Sequence, residues 1–301
     1  MTDKTVIFEE ARPRLLGLAY RLLGSISDAQ DVVQDTYLKW MGQQGALDTP
    51  MAWLRRVCTN ACLDHLKSAH RRRVDYVGPW IPDHIQTEFS PSAEAQTELA
   101  SSLTTAFLLL LERLTPKERA AYLLHDIFAM SFGEVSDILD MQPAACRKLA
   151  SRARRFVGES DTRHAPPKER QEELLAAFQR ALSTGDTSQL GKMLRDDSNL
   201  RADSGGAVVA ARDVIEGRTD VCRFVAQVLQ SSWRDMRIDT VEINGGLGLR
   251  VRDGASLHAT VSFGYDRQGN ASHVFIMRNP DKLLGFQRSS AIVWDCHRPY
   301  S

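Results

Sequence analysis

Four cations, Arg147, Lys148, Arg152 and Arg155, share one short stretch with Ser151, and side chains of these types are the ones that touch double-stranded DNA. Arginine reads guanine through a two-pronged fork, while lysine and serine hold phosphate oxygens. On a helix their spacing sets them on adjoining turns, with Leu149, Ala153 and Phe156 turned back to pack. Phe132, Val135 and Ile138 form a shorter apolar stretch just ahead, and the pair has the pattern of a helix-turn-helix. A basic helix that merely faces water is the alternative; the packing helix and turn favour DNA reading. One local rule is broken, because Gln142 stands where serine or threonine would be the better cap.

A second set lies nearer the start. Trp53, Arg56 and Asn60 fall along one helix face beside a polar loop that holds Gln43, Gln44 and Thr49. An aromatic ring, a cation and amides are what a melted single strand needs for an unstacked base and its phosphates. A tryptophan on a helix is nonetheless more often core. Asp28, Asp31, Gln34 and Asp35 line the outside of the preceding helix. Taken alone they make an ordinary solvated face; as a dock they suit a basic helical partner.

Other chemistries find little support. Cys58, Cys62 and His65 sit on neighbouring turns, but structural zinc needs four ligands, often from two segments. Buried cysteines acting as small hydrophobes are the better reading, also for Cys146 and Cys222, with Cys296 in the tail. No phosphate loop, dinucleotide fingerprint, nucleophile elbow or metalloprotease motif occurs. Asp203, Asp239, His258, Asp266 and His273 are scattered over the C-terminal part. One of them could serve as a base in a pocket under a curved sheet, yet without a pair at defined spacing they read as exposed or structural. No catalytic residue, metal or cofactor is expected.

Rigid elements must hold these groups. Residues 6 to about 70 read as helices, with Ser27 and Gln30 as a capping box for the acidic helix and Pro50 opening a long one. Gly78-Pro79-Trp80-Ile81-Pro82-Asp83 cannot be regular helix and reads as an ordered linker with one exposed aromatic. Helix resumes from Ser92 to Leu114, then at Thr115-Pro116-Lys117-Glu118, at Ser131–Leu139 and from Gln142 or Pro143 to Val157. After a second linker at His164-Ala165-Pro166-Pro167, helices at Lys168–Ser183 and Thr187–Arg195 precede a segment Leu200–Val209, and a helix at Ala211–Gln230 follows. Hairpins then follow: Met236–Ile243, Gly248–Arg252, Ser256–Tyr265 and His273–Arg278. With 301 residues the chain has room for two or three domains, and 38 Lys+Arg against 38 Asp+Glu exclude a bulk polycation. The N-terminus has no apolar signal core and no run approaches the roughly 18 residues that span a bilayer, so a cytoplasmic chain with reduced thiols and no membrane contact is expected.

The first 160 or so residues resemble extracytoplasmic-function (ECF) RNA polymerase sigma factors, with their regions two and four joined by a linker. Asp31-Val32-Val33-Gln34-Asp35 is similar to the family's polymerase contact, which implies that Asp28, Asp31, Gln34 and Asp35 meet the β′ clamp helices of core polymerase. The resemblance also implies a β-flap contact and promoter DNA as partner. It puts a flipped −10 base in the Gln43–Thr49 loop beside Trp53, Arg56 and Asn60, with Asp64 and the arginines after it on the same helix. Arg147, Lys148, Ser151, Arg152 and Arg155 match −35-reading positions. The Trp80–Pro82 linker resembles a Gly-x-Trp-Leu-Pro-Glu signature, and Asn279-Pro280-Asp281-Lys282-Leu283 matches an Asn-Pro-Asp-Lys-Leu motif unchanged. Both belong to SigJ-like members with a fused SnoaL-like domain. Asp203-Ser204-Gly205-Gly206-Ala207 departs from that subgroup's Asp-Gly-Gly-Gly followed by a base, which leaves open what pairs with the aspartate.

The implied architecture is multidomain. Two all-α sigma domains, region 2 over 1–76 and region 4 over 97–160, flank a linker at 77–96. After a linker at 161–168 comes an α+β SnoaL/NTF2-like cone-shaped barrel over 169–286, then a tail at 287–301. In the subgroup that fused domain tunes polymerase binding, so Trp80, Pro82, Asp203, Gly205, Gly206 and the Asn279–Leu283 motif are expected to regulate. A small-molecule ligand for it, of unknown identity, stays open. So do two rival functions: a helix-turn-helix regulator with a ligand-sensing C-terminal domain, and a SnoaL-type isomerase or hydrolase.

Overall fold

The computed structural model describes residues 4–45, 47–74, 76–87, 102–159 and 166–289, without the side chains of 68–74. The side chains of the arginines after Asp64, residues 92–101 of the expected Ser92–Leu114 helix, His164, Ala165 and Cys296 therefore lie outside the described part, and the described remainder of that helix begins at Thr105.

Three helices open the chain: α1 (Lys4–Leu23), α2 (Ile26–Gly42) and α3 (Pro50–Val74). Helix α2 starts two residues earlier than the Ser27 box requires. Ser25 is the cap, extended at φ −129°, and its hydroxyl accepts the Asp28 N–H at 3.3 Å. Burial of Ile26, whose own N–H is bonded to Asp83 Oδ2 at 2.8 Å, fixes that earlier start. The second helical group comprises α4 (Thr105–Leu111), α5 (Pro116–Tyr122), a π-helical turn Leu123–Ile127, α6 (Phe132–Leu139) and α7 (Pro143–Gly158). Thr115 with Glu118 and Ser131 with Glu134 close reciprocal capping boxes, satisfying two orphan donors each. Gln142 caps α7 without any side-chain bond. The apolar sides of both groups merge into one core that runs from Phe8 through Leu66 to Phe107, Tyr122 and Val157.

The C-terminal part is α+β. It has α8 (Lys168–Thr184), α9 (Ser188–Met193), β1 (Leu194–Asp203), β2 (Ile215–Glu216), and α10 (Arg218–Phe224) prolonged by a π turn to Leu229 and a last turn to Ser232. Strands β3 (Arg237–Ile243), β4 (Gly246–Asp253), β5 (Ser256–Tyr265) and β6 (Ala271–Met277) precede α11 (Pro280–Ser289). The expected Thr187–Arg195 helix stops at Met193 and gives way to β1, which ends at Asp203 rather than Val209. The helix expected from Ala211 begins at Arg218, because Ile215 and Glu216 pair with Leu200 and Asn199 before Gly217 breaks the strand. The sheet order is β2-β1-β6-β5-β4-β3, with only β1 and β6 parallel.

Alternation gives the sheet two apolar faces. The inner one packs Leu249, Val261, Phe263 and Ile276 on Phe178 and Trp233 beneath α8 and α10. On the outer one, Phe275 and Met277 meet Ile81, Ala106 and Leu283. The front helices, α11 and the linker strap at 76–87 thus cover a face that would otherwise be wet. Gly264 marks the closest approach: a Cβ there would stand 2.9 Å from Ala106 Cβ and 3.2 Å from His273 Cβ. Gly264→Val should therefore push α4 off β5 at an overpacking cost of about 1–3 kcal/mol. Amide exchange in α4 should accelerate about tenfold or more while the inner sheet core keeps its protection. Unchanged α4 protection would refute this docking.

Candidate functional site

Three surfaces carry the residues singled out above. On α7, Arg147, Lys148, Ser151, Arg152 and Arg155 are exposed on one side, while Ala150, Ala153 and Val157 are buried. Arg152 Nε lies 2.9 Å from Glu118 Oε1, and Arg154 Nε lies 2.7 Å from Asp126 Oδ1. The Thr115 hydrogen bonds, and then the Arg152 guanidinium, hold the Glu118 carboxyl below its ordinary range. A capping residue therefore also orients a cation on the exposed face.

On α3, Arg56 is exposed and Asn60 half-buried. Trp53 packs against Trp40, centroids 5.6 Å apart, and joins the core edge instead of standing free. In the loop, Gln44 and Thr49 are exposed, and Gln43 is half-buried with its Nε2 donating to the Gln44 carbonyl at 2.9 Å. Lys4 Nζ anchors this loop by donating to the carbonyls of Trp40 and Gln43.

On α2, Asp31, Gln34 and Asp35 are exposed, and Asp28 stands 3.6 Å from His65 Nε2 on α3. The same helical stripe continues through Leu38 and Met41, which are 59% and 44% exposed. Sequence reasoning passed over these two, although their spacing from Asp31 and Gln34 placed them there. An acidic face extended by two bare apolar side chains has the composition of a dock.

The residues expected to regulate converge on one buried seam. Asp203, at the end of β1 and fully buried, accepts from Tyr76 Oη at 2.5 Å, Ile81 N at 3.0 Å, Gly205 N at 3.1 Å and Lys282 Nζ at 2.9 Å. Lys282, from the unchanged Asn279–Leu283 motif, is the cation that pairs with Asp203. That ammonium also lies 3.5 Å from Asp83 Oδ1, donates to Ile81 O, and sits 4.6 Å over the Trp80 ring. Trp80 is half-buried, not the exposed aromatic expected, because this cation covers it. Asn279 donates to Tyr76 Oη at 2.8 Å, Leu283 is buried against Ile81, and Pro82 is buried. Pro280 and Asp281 are exposed helix-start residues. Gly205 turns at φ +58° directly under the Asn279 amide, where no side chain fits. Gly206 packs on Val77.

Past this point the strap ties the front to the sheet through residues the sequence did not signal. Asp83 N donates to Gly24 O at 2.8 Å, and Tyr20 Oη donates to Asp83 O at 2.5 Å. His84 bonds Thr260 Oγ1 at 2.7 Å and Ser262 Oγ at 3.0 Å. Asn244, read only as a hairpin turn, accepts Ile85 N at 2.7 Å and donates to Tyr20 Oη at 3.1 Å. Burial, with the Lys282 charge second, lowers the His84 pKa to about 3, and burial pushes the Asp83 carboxyl up against the pull of Lys282. Of the other scattered polar residues, Asp266 closes its own turn with Gln268 and Asn270, and Asp239 pairs with Arg237, Arg250 and Arg252. His273 bonds Ser272, and burial lowers it to about 4.

Two family models match the front helices: Sigma-70 region 2 over residues 7–72 and Sigma-70, region 4 over residues 104–157. The chain is 32% identical to the ECF RNA polymerase sigma factor SigJ of Mycobacterium tuberculosis, over 92% of each chain. The probable ECF sigma factor SigI of the same species is 33% identical over 61% of this chain and 64% of its own. In three dimensions the chain is similar to the crystal structure of SigJ, with a TM-score of 0.71 and 30% identity over 93% of this chain and 98% of that one. The chain belongs to the ECF RNA polymerase sigma factors.

As a sigma factor it has an internal tie between its two promoter-reading regions. Arg21 of α1 is buried, donates to Ser102 Oγ at 2.9 Å and lies 5.5 Å over the Phe128 ring. Arg119 of α5, lowered to about 9 by burial, donates to Leu22 O at the end of α1 and to Glu112 Oε1, both at 2.6 Å. Arg55 of α3 reaches Glu134 of α6 at 3.9 Å.

The Lys282–Asp203 pair is nearly waterless, so Lys282→Met should cost about 3–5 kcal/mol, because a buried carboxylate loses its cation. Adding Asp203→Asn should recover part of that loss in chemical denaturation; no recovery would argue against the pair. His84 gives a pH dependence of definite sign. Its pKa is about 3 when docked against an ordinary 6.5, so docking has full strength above 6.5 and weakens as pH falls toward 3, by about tenfold per unit. Protection factors of strap amides, referred to the intrinsic exchange rate at each pH, should stay level above pH 6.5 and fall with that slope below it, and His84→Gln should lessen the fall. The same slope in His84→Gln would remove His84 as its source.

Proposed function

We propose that this sigma factor is held by its own C-terminal domain in a closed state that core polymerase must open. The observation that carries this reading is the single core shared by regions 2 and 4. By their own numbering the −10 and −35 elements lie about 25 base pairs apart, or about 85 Å along a duplex at ~3.4 Å per pair. A compact unit of about 150 residues has a radius of gyration of about 15 Å and is about 40 Å across. The two reading faces therefore serve both elements together only after they separate. The strap, bonded to α1 at one side and to Asp203 and β5 at the other, opposes that separation.

In this reading the acidic and apolar stripe Asp31, Gln34, Asp35, Leu38 and Met41 docks on the β′ clamp helices, and it is open to solvent in the closed state. The Gln43–Thr49 loop with Arg56 and Asn60 takes the melted −10 strand, and the exposed side of α7 reads −35. Region 4 meets the β flap. The C-terminal domain is regulatory and not catalytic, which fits the structural duties of Asp203, Asp239, Asp266 and His273. A cytoplasmic site of action follows from the partner; among the described residues no helix is long and apolar enough to cross a membrane.

Run-off transcription with core polymerase on a promoter library tests the reading. Lys282→Met and a chain ending at Pro166 should form open complexes more readily than the full-length protein, about tenfold or more. Asp31→Lys with Asp35→Lys should abolish polymerase capture without unfolding α2. Equal initiation by full-length, Lys282→Met and truncated forms would sink the regulatory part. Polymerase capture surviving the charge reversal would sink the docking face.

A further inference from the structure

The exposed arginines of α7 are not held alike. Arg152 is engaged by Glu118, and its neighbour Arg154 by Asp126, through carboxylates. Arg147, in the first turns of the helix, instead has its guanidinium carbon 5.6 Å from the centroid of Phe132, the first residue of α6. The same ring carries a second layer. His125 stacks on it with centroids 3.8 Å apart and planes 27° from parallel. An imidazole at that distance covers one face of the phenyl ring, so Phe132 is held by His125 and contacted by Arg147 at once. His125 is itself fixed, its Nδ1 lying 2.8 Å from the Met130 carbonyl. Phe132 is fixed by the Ser131–Glu134 capping box, with Ser131 N to Glu134 Oε2 at 2.9 Å and Glu134 N to Ser131 Oγ at 3.2 Å.

The two ways of holding an arginine have different consequences. A carboxylate occupies N–H donors, which must be released before they reach DNA. An aromatic ring binds the guanidinium plane and leaves the edge with its donors available. Bidentate reading of guanine uses that edge. We propose that Phe132, backed by His125, is a positioning residue that presents Arg147 to a −35 base pair, so that the π turn and the α6 start set sequence specificity without touching DNA. This rests on the reading of α7 as the −35 reader.

The test uses full-length protein with core polymerase on promoters carrying every single base-pair change in the −35 element. Arg147→Ala should relax discrimination at one base pair. Phe132→Leu, which keeps apolar bulk, should relax the same position by about two- to fivefold, the scale of an exposed cation–π contact. Phe132→Tyr should keep it. In the Arg147→Ala background, Phe132→Leu should cause no further loss of discrimination. Should Phe132→Leu not fold, as judged by melting, His125→Gln reads the same position with Phe132 in place. Positioning is overturned if Phe132→Leu lowers transcription equally from all promoters, or if its effect adds to that of Arg147→Ala. If Arg147→Ala relaxes no position, the α7 reading itself fails and takes this proposal with it.

Discussion

A carboxylate taken wholly out of water must be met by donors, and at Asp203 four of them converge from separate parts of the chain. Tyr76 and Ile81 come from the strap, Gly205 from the adjoining loop and Lys282 from α11. Buried charge tolerates little displacement, because each lost donor leaves desolvated charge behind. The strap is therefore fixed at its entry, and Asp83, His84 and Ile85 are delivered one after another to α1, β5 and the Asn244 turn. Much of how the front of the molecule sits on the sheet depends on this one anion.

Closure follows from that placement together with two buried arginines. Arg21 and Arg119 cross between regions 2 and 4, and each satisfies carbonyl or hydroxyl groups of the other region. Such residues add little net stability, yet they penalise every arrangement that leaves them unpaired. Under the proposed closed-state reading, the partner must prefer the separated form strongly. Moving a closed population from 1:99 to 99:1 takes about 10⁴-fold differential affinity. In the proposed reading, the extended stripe on α2, with Leu38 and Met41 bare beside the carboxylates, supplies part of it without first disturbing the closed core.

What the sequence made legible was local. Helical periodicity, the Thr115 and Ser131 boxes, Pro50 and Pro143 at helix starts, and the Ser256–Tyr265 strand all follow from neighbours within a few residues. The pieces of the seam, Trp80, Asp203 and Asn279–Leu283, could be named only through resemblance, since no spacing along the chain connects them. Misplacements had the same root. Ser25 caps α2 in place of Ser27 because Asp83, far along the chain, holds Ile26 inward. Trp80 is covered because Lys282 arrives over it. Asn244 carries the signature of a hairpin turn, and its bond to Tyr20 spans 224 positions, a partner that no local pattern encodes.

The seam differs in kind from the cores on either side of it. Its apolar content is small, with Ile81, Ala106, Phe275, Met277 and Leu283 at its centre, whereas hydroxyls, amides, an imidazole and an ion pair make up the rest. Each neutral hydrogen bond exchanged for water changes stability by only about 0.5–1.5 kcal/mol, while apolar burial scales with area. A contact rich in the former and poor in the latter fixes geometry firmly and still separates without exposing a large dry surface. The front helices and the sheet each have a core of their own. Regions 2 and 4 share one core, so in the proposed reading their separation is the harder step, and the polar seam makes that step conditional.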